Sequence, residues 1–192
     1  MKFVITISVM FFSLANDNQH SSKERDFLST LEKVVVALGK RDSVALSKYI
    51  DKKNGVYILG RIGTTDTYQR FSTVGFTDTS YPNAPFYDRV RLTTLMYSTL
   101  PTYDCENWTQ NGSFVDTSLV DHFLSTIAKK LRKDSKDRIS ESTINNFYLL
   151  ENKSRRIIIT GEDGNDLIIY LSYLNQKWVL SIIDKVTCDC SV

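Results

Sequence analysis

Proline, glycine and cysteine are scarce, with 3, 8 and 3 copies in 192 residues. Those frequencies exclude a collagen-like repeat, a low-complexity linker and a cysteine-dense scaffold of the small secreted type. Histidine is scarcer still: only His20 and His122 occur. Nucleophilic hydrolysis through a histidine would therefore rest on His122, and no Gly-x-Ser-x-Gly elbow accompanies it. An excess of one charge is missing too. Against 22 Asp and Glu stand 24 Lys and Arg, for a formal net charge of +2, which supplies no basic field for nucleic acid or for an anionic membrane surface.

Long apolar runs are confined to the N-terminus. After Met1 and Lys2, residues 3–15 are almost wholly apolar, with small residues at Ser13 and Ala15, and the chain turns polar at Asn16. A positive start, an apolar stretch of about a dozen residues and small residues at the boundary are the parts of a secretory signal peptide cleaved after Ala15. The run is shorter than the roughly 20 apolar residues that cross a bilayer, so no membrane span is expected in the mature chain. The expected organisation is a leader over 1–15, a flexible mature N-terminus over 16–22 and one α+β domain over 23–192. The protein is expected to be exported, either periplasmic or secreted.

Export changes how the thiols read. Cys105, Cys188 and Cys190 enter an oxidising compartment, where thiols tend to pair. Cys188 and Cys190 are one residue apart and would close a strained ring, so Cys105 is the expected partner of one of them. A Cys-x-Cys redox pair is the alternative. A zinc site would need a fourth ligand, for which only Asp104 and Glu106 lie beside Cys105, and neither metal nor cofactor is expected.

Ser21 and Glu24 form a capping box ahead of Phe27, Leu28, Leu31, Val34, Val35 and Leu38, which fall at helical spacing up to Gly39. Asp42 caps a short second helix, and residues 55–60 read as a buried strand. Residues 63–88 read as irregular, rich in Thr and Ser and interrupted by Pro82 and Pro85. Residues 90–100 fit either a strand or a short helix. A central helix, capped at Asp116 or Thr117, carries an apolar stripe from Leu119 to Leu131 and a basic end. A four-strand meander follows over 147–151, 155–160, 167–173 and 177–184, its short connections requiring antiparallel pairing. The fold class is thus α+β, with N-terminal helices and one central helix on one face of a twisted, mainly antiparallel sheet.

Candidate chemistry is sparse. On its helix His122 falls about 150° from the centre of the apolar stripe, on the solvent side. Asp104 with Glu106, and Glu162 with Asp163 and Asp166, are carboxylate groupings that would serve acid–base chemistry only if their environments split their pKa values. Residues 161–169 approach the calcium nonapeptide, but with Glu162 replacing a glycine and in a single copy, so a turn built on Gly161 and Gly164 is the better account. Sequons at Asn107, Asn111 and Asn152 matter only in a eukaryotic secretory route. The aromatic-rich stretch containing Tyr68, Phe71, Phe76, Tyr81, Phe86 and Tyr87, with Trp108 nearby, is the segment nominated for ligand binding, because exposed rings give contact area at little entropy cost.

The strand Gly55-Val-Tyr-Ile-Leu, the segment Leu100-Pro-Thr-Tyr-Asp-Cys-Glu-Asn-Trp108 and the closing Trp178-Val-Leu-Ser-Ile-Ile183 and Cys188-Asp-Cys-Ser191 resemble uncharacterised exported proteins of Gram-negative bacteria. The element order is also similar to the curved-sheet cone of the nuclear-transport-factor-like and cystatin-like superfamily. That resemblance implies helices laid on an antiparallel sheet, and in the superfamily's enzymes an Asp/His pair in the cone. No histidine here suits that role, which favours a non-catalytic exported or envelope-associated module binding a small ligand or an envelope protein. A small carboxylate-dependent hydrolase and a thiol-redox protein are the competing expectations.

Overall fold

The computed structural model describes residues 11–76, 90–116, 122–134, 139–161 and 166–190, with side chains from Ser22 onward. Seven strands form one mixed sheet: β1 (Val56–Ile62), β2 (Thr65–Phe71), β3 (Leu95–Tyr97), β4 (Ser113–Val115), β5 (Ser154–Ile159), β6 (Leu167–Leu174) and β7 (Lys177–Asp184). Their spatial order is β2-β1-β7-β6-β5-β4-β3. Most pairs are antiparallel, while β1 with β7 and β3 with β4 are parallel. The helices are α1 (Phe11–Gly39), α2 (Ser43–Ser47), α3 (Phe123–Asp134) and α4 (Glu141–Glu151). The chain is therefore α+β, and β5 to β7 form its C-terminal meander.

Helices cover both faces of the sheet, not one. Phe27, Leu31, Val34 and Leu38 of α1 pack on Ile58, Ile157, Ile159, Ile169 and Leu180. On the opposite face, Leu124, Ile127 and Ala128 of α3 and Ile144, Phe147 and Leu150 of α4 pack on Leu59, Tyr170 and Ile182. The alternation of a strand decides which cluster a residue joins: Ile169 and Leu171 face α1, and Tyr170 between them faces α3 and α4. Strands buried on both sides carry almost unbroken apolar runs for this reason.

Several boundaries differ from those the sequence suggests. Residues 147–151 end α4 instead of forming a strand, and Ser140 starts that helix by accepting from the Thr143 amide at 3.1 Å. The meander thus has three strands. Helix α1 runs through residues 16–22 and through Ser21, so the Ser21–Glu24 pair does not begin it. Glu24 instead holds Arg155 at 2.8 Å and accepts from the Tyr97 hydroxyl at 2.6 Å. At the C-terminal end of α1 the left-handed residue is Arg41, with φ 54°, and not Gly39. Bonds from Asp42 N–H to the Ala37 carbonyl and from Arg41 N–H to the Leu38 carbonyl complete a Schellman closure there. Asp42 caps α2 as expected, accepting from Ala45 N–H at 2.8 Å. Part of the stretch expected to be irregular is the edge strand β2, joined to β1 through Gly63 at φ 58°. Residues 95–97 are strand. The central helix expected from Asp116 or Thr117 is described from Phe123 onward, as α3; the Asp116 N–H donates to the Arg156 carbonyl of β5 and the residue does not start that helix, and Thr117, Leu119 and Val120 lie outside the described residues. Gly55 closes against the edge strand with φ 69°, and a Cβ there would stand 2.4 Å from the Phe71 carbonyl oxygen.

Several buried polar side chains form hydrogen-bonded networks. A bulge between β6 and β7 turns Ser181 inward, where Ser154, Ser172 and Ser181 form a hydroxyl chain of 2.5 and 2.6 Å that ends on the Tyr170 carbonyl at 3.1 Å. Arg156 and Asp184, 4% exposed each, pair at 3.1 Å. Asp184 also accepts from the amides of Val186 and Thr187 at 2.9 and 3.1 Å and from the Thr187 hydroxyl at 2.7 Å. The tail beyond β7 is fixed by these bonds and delivers its cysteines to one place. Among the described residues no helix is long and apolar enough to cross a membrane.

Candidate functional site

The segment linking β3 to β4 folds back as a small hairpin. Tyr103 and Trp108 pair across it, with Thr109 N–H donating to the Thr102 carbonyl at 2.9 Å. Asp104 shapes the tip, its carboxylate accepting from the amides of Asn107 at 2.7 Å and Glu106 at 3.0 Å. Those two amides hold the Asp104 carboxyl below its ordinary range. Cys105 sits at the tip in a left-handed conformation, φ 78°. Its sulfur is bonded to that of Cys190, with the two Cα atoms 5.7 Å apart. Of the pairings open to Cys105, the structure has the one with Cys190 and leaves Cys188 as a thiol.

A cleft of about 800 Å³ opens beside this hairpin. Tyr103 and Trp108 wall one side; Thr93, Thr94 and Met96 form another; Asn111, Gly112, Thr160, Gly161 and Asp166 complete it, with Glu106 and Asn107 at the rim. The two rings lie 5.2 Å apart between centroids. Trp108 Nε1 is buried and has no hydrogen-bond partner among the described residues. Gly112 is required where the cleft floor meets β5. Its φ of 143° is a backbone conformation that L side chains rarely adopt, while its N–H donates to Thr160 Oγ1 at 2.8 Å and its carbonyl accepts from Thr160 N–H at 3.0 Å.

The wall is acidic, with Glu106 and Asp166 as its charged side chains among the described residues. Desolvation, followed by electrostatic repulsion from the neighbouring Cys188, Asp166, Asp104 and Glu106 as they ionise, raises the Tyr103 hydroxyl pKa. Asp166 accepts from Gly161 N–H at 2.8 Å. Burial, then the charges of Asp166 and Asp184 and a hydrogen bond to Asp166, push the Cys188 thiol up to about 12. A thiol held there is protonated at neutral pH and lacks the depressed pKa that thiol-disulfide chemistry requires. Among the described residues no group of three or more His, Cys, Asp and Glu side chains is placed to hold a metal ion.

The nominated aromatics do not converge. Tyr68 stacks edge-on against Tyr57 and Phe147, at 6.2 and 5.2 Å, on the face that carries α3 and α4. Phe71, an odd number of residues along the same strand, packs with Phe76 against the α1-side core. Tyr81, Phe86 and Tyr87 lie outside the described residues. Trp108 alone lines the cleft. Of its neighbours, Asp166 belongs to one of the carboxylate groupings that the sequence offers and Asn111 to a sequon, whereas Tyr103 and Thr160 are marked by neither; the signal for Tyr103 is its place on the other side of Cys105 from Trp108.

No protein family, curated protein or solved structure matches this chain. The site therefore stands on its geometry.

The acids separate in the same way. Glu106 is exposed, and Glu162 and Asp163 lie outside the described residues. Glu151, at the end of α4, is fully buried. Its oxygens accept from the amides of Leu124 at 2.7 Å and Ser125 at 3.3 Å and so cap α3 from another helix. Burial is the first cause that raises its pKa. His122, expected on the solvent side of a helix, instead precedes α3 and is half-buried, with its ring 4.3 Å from that of Tyr148 and Nδ1 3.6 Å from Glu151. A larger groove of about 900 Å³ lies between α1 and residues 90–97, with mainly apolar walls that include Leu28, Val36, Leu92 and Tyr97.

Proposed function

We propose that the chain is an exported, non-catalytic binding module whose ligand seat is the cleft under the 103–108 hairpin. The observation that carries this reading is the cleft itself: two aromatic rings and several amide and hydroxyl side chains face one concavity. That combination of contact area with a few orienting polar groups is what small-ligand sites share. Cys105–Cys190 supports the reading from two directions. It accords with an oxidising compartment, and it ties the hairpin to the tail anchored by Asp184, so the wall is rigid before any ligand arrives. A rigid wall reduces the ordering cost of binding.

The carboxylate hydrolase remains a second reading because Glu106 and Asp166 line the same cleft. General acid work at neutral pH needs a carboxyl whose pKa is raised by seclusion from water. Glu106 is exposed, and Asp166 is only half-buried and accepts from Gly161 N–H at 2.8 Å. The binding reading is therefore the stronger one.

The two tryptophans make a direct test. Trp178 Nε1 donates to the Lys23 carbonyl at 3.1 Å inside the core, whereas Trp108 lines the cleft, so the indole N–H resonances report on different places. A mixture of sugars, amino acids, nucleosides and organic amines, added to protein carrying 15N-labelled tryptophan, is expected to move the Trp108 indole signal and leave that of Trp178 in place. Movement of neither signal, or turnover of a component that Glu106→Gln abolishes, would overturn the reading.

A further inference from the structure

The chemistry of the cleft wall discriminates among ligand classes. Glu106 and Asp166 are its charged side chains among the described residues, and no lysine or arginine stands with them, so an anion would meet repulsion without a partner. An organic cation needs uncompensated negative charge against the rings. Glu106 and Asp166 supply such charge, but a cation such as choline neither donates nor accepts strong hydrogen bonds through its ammonium and would leave the asparagine amides and threonine hydroxyls of the wall unpaired. A wholly apolar ligand would strip water from the threonine hydroxyls and asparagine amides and return no hydrogen bonds, which is costly.

A neutral polyhydroxylated ligand meets none of these objections. Its C–H faces suit Tyr103 and Trp108, and its hydroxyls both donate and accept. Asn107 and Asn111 offer both functions, and the exposed Glu106 carboxylate accepts only. We propose that the cleft takes a neutral mono- or disaccharide, with an apolar sugar face against the Tyr103–Trp108 pair and hydroxyls on Glu106 and the two asparagines. This inference rests on the reading of the cleft as a binding site. The volume of about 800 Å³ lies within the range of small-molecule sites.

The test titrates the full oxidised chain with glucose, galactose, mannose, N-acetylglucosamine, maltose and cellobiose, followed at the Trp108 indole signal, with glucuronate and choline as charged comparators. At least one neutral sugar is expected to give a saturable shift at about 1 mM or below, and glucuronate and choline none. Glu106→Gln, a change at an exposed side chain, is expected to weaken that binding by about fivefold while leaving thermal unfolding unchanged. Trp108→Ala is expected to abolish it. If choline, glucuronate or another component of the wider mixture moves Trp108 and the neutral sugars do not, the ligand class is wrong and the cleft stands. If no compound moves Trp108, the cleft reading falls with the inference.

Discussion

Cys105→Ser is expected to lower stability by about 4 kcal/mol under oxidising conditions, the largest single effect foreseen for this chain. The bond it removes spans 85 residues, and closing a loop of that length takes on the order of 4 to 5 kcal/mol of entropy out of the unfolded chain. For a domain of this size the loss corresponds to a fall in Tm of about 10 °C or more. Reduction of the wild-type protein should give the same shift. Cys188→Ser is the control, because that thiol is unbonded and its loss removes no cross-link. A wild-type Tm that is the same with and without reductant, or a Cys188→Ser variant that falls as far as Cys105→Ser, would show that the bond is not the one between Cys105 and Cys190. The variant also has a local consequence. The hairpin tip would lose its tie to the tail, and the Trp108 indole signal is expected to broaden or move while that of Trp178 stays in place.

Arg156→Met is expected to cost about 3 kcal/mol, the lower end of what breaking a buried ion pair by removing one partner usually costs. The guanidinium pairs with Asp184 at 3.1 Å, donates to Thr187 Oγ1 at 2.7 Å and lies 4.7 Å from the Phe123 ring. Methionine replaces part of the volume and none of the charge. The lower figure is expected because Asp184 keeps three other donors, from Val186 and Thr187. A double variant with Asp184→Asn separates pairing from packing. If the pair couples the two residues, the double variant will be less destabilised than the sum of the single ones. Chemical denaturation of the four proteins measures this, and additive losses, or an Arg156→Met variant within about 0.5 kcal/mol of wild type, would contradict a coupled pair.

Local signals predicted the elements whose burial is local. Phe27, Leu31, Val34, Val35 and Leu38 repeat at the helical period because one side of α1 lies on the sheet, and the apolar runs of β6 and β7 are continuous because both their faces are covered. Elements that depend on partners were harder to read. In β2, Thr65–Phe71, the edge position leaves polar side chains exposed, so neither alternation nor an apolar run marks it. In α4, Ile144, Phe147 and Leu150 carry the helical spacing, yet the run Phe147-Tyr148-Leu149-Leu150 has the composition of a strand. The strict alternation of β2 also explains why Tyr68 and Phe71 could not share a surface.

The cleft was the least legible feature because its walls meet through distant pairings. Thr160 reaches Gly112 through the antiparallel register of β4 and β5, and Tyr103 finds Trp108 through a turn set by Asp104 and pinned by Cys190. Cys105 and Trp108 were visible as candidates. Thr160 carries no mark of its role, and Asp166 is visible only as one of a group of turn acids, since a threonine at a strand end and an aspartate in a turn have ordinary structural reasons to be there.

In the function proposed above, the chain is exported and the Cys105–Cys190 disulfide fixes the wall of a binding cleft. Peptide mapping by mass spectrometry, on protein recovered without reductant from cells that make it from the complete sequence, tests that claim most directly. The account predicts a chain that begins at Asn16, with the peptides of Cys105 and Cys190 linked and Cys188 free to alkylate. A chain that retains its first 15 residues and carries three alkylatable thiols would contradict it.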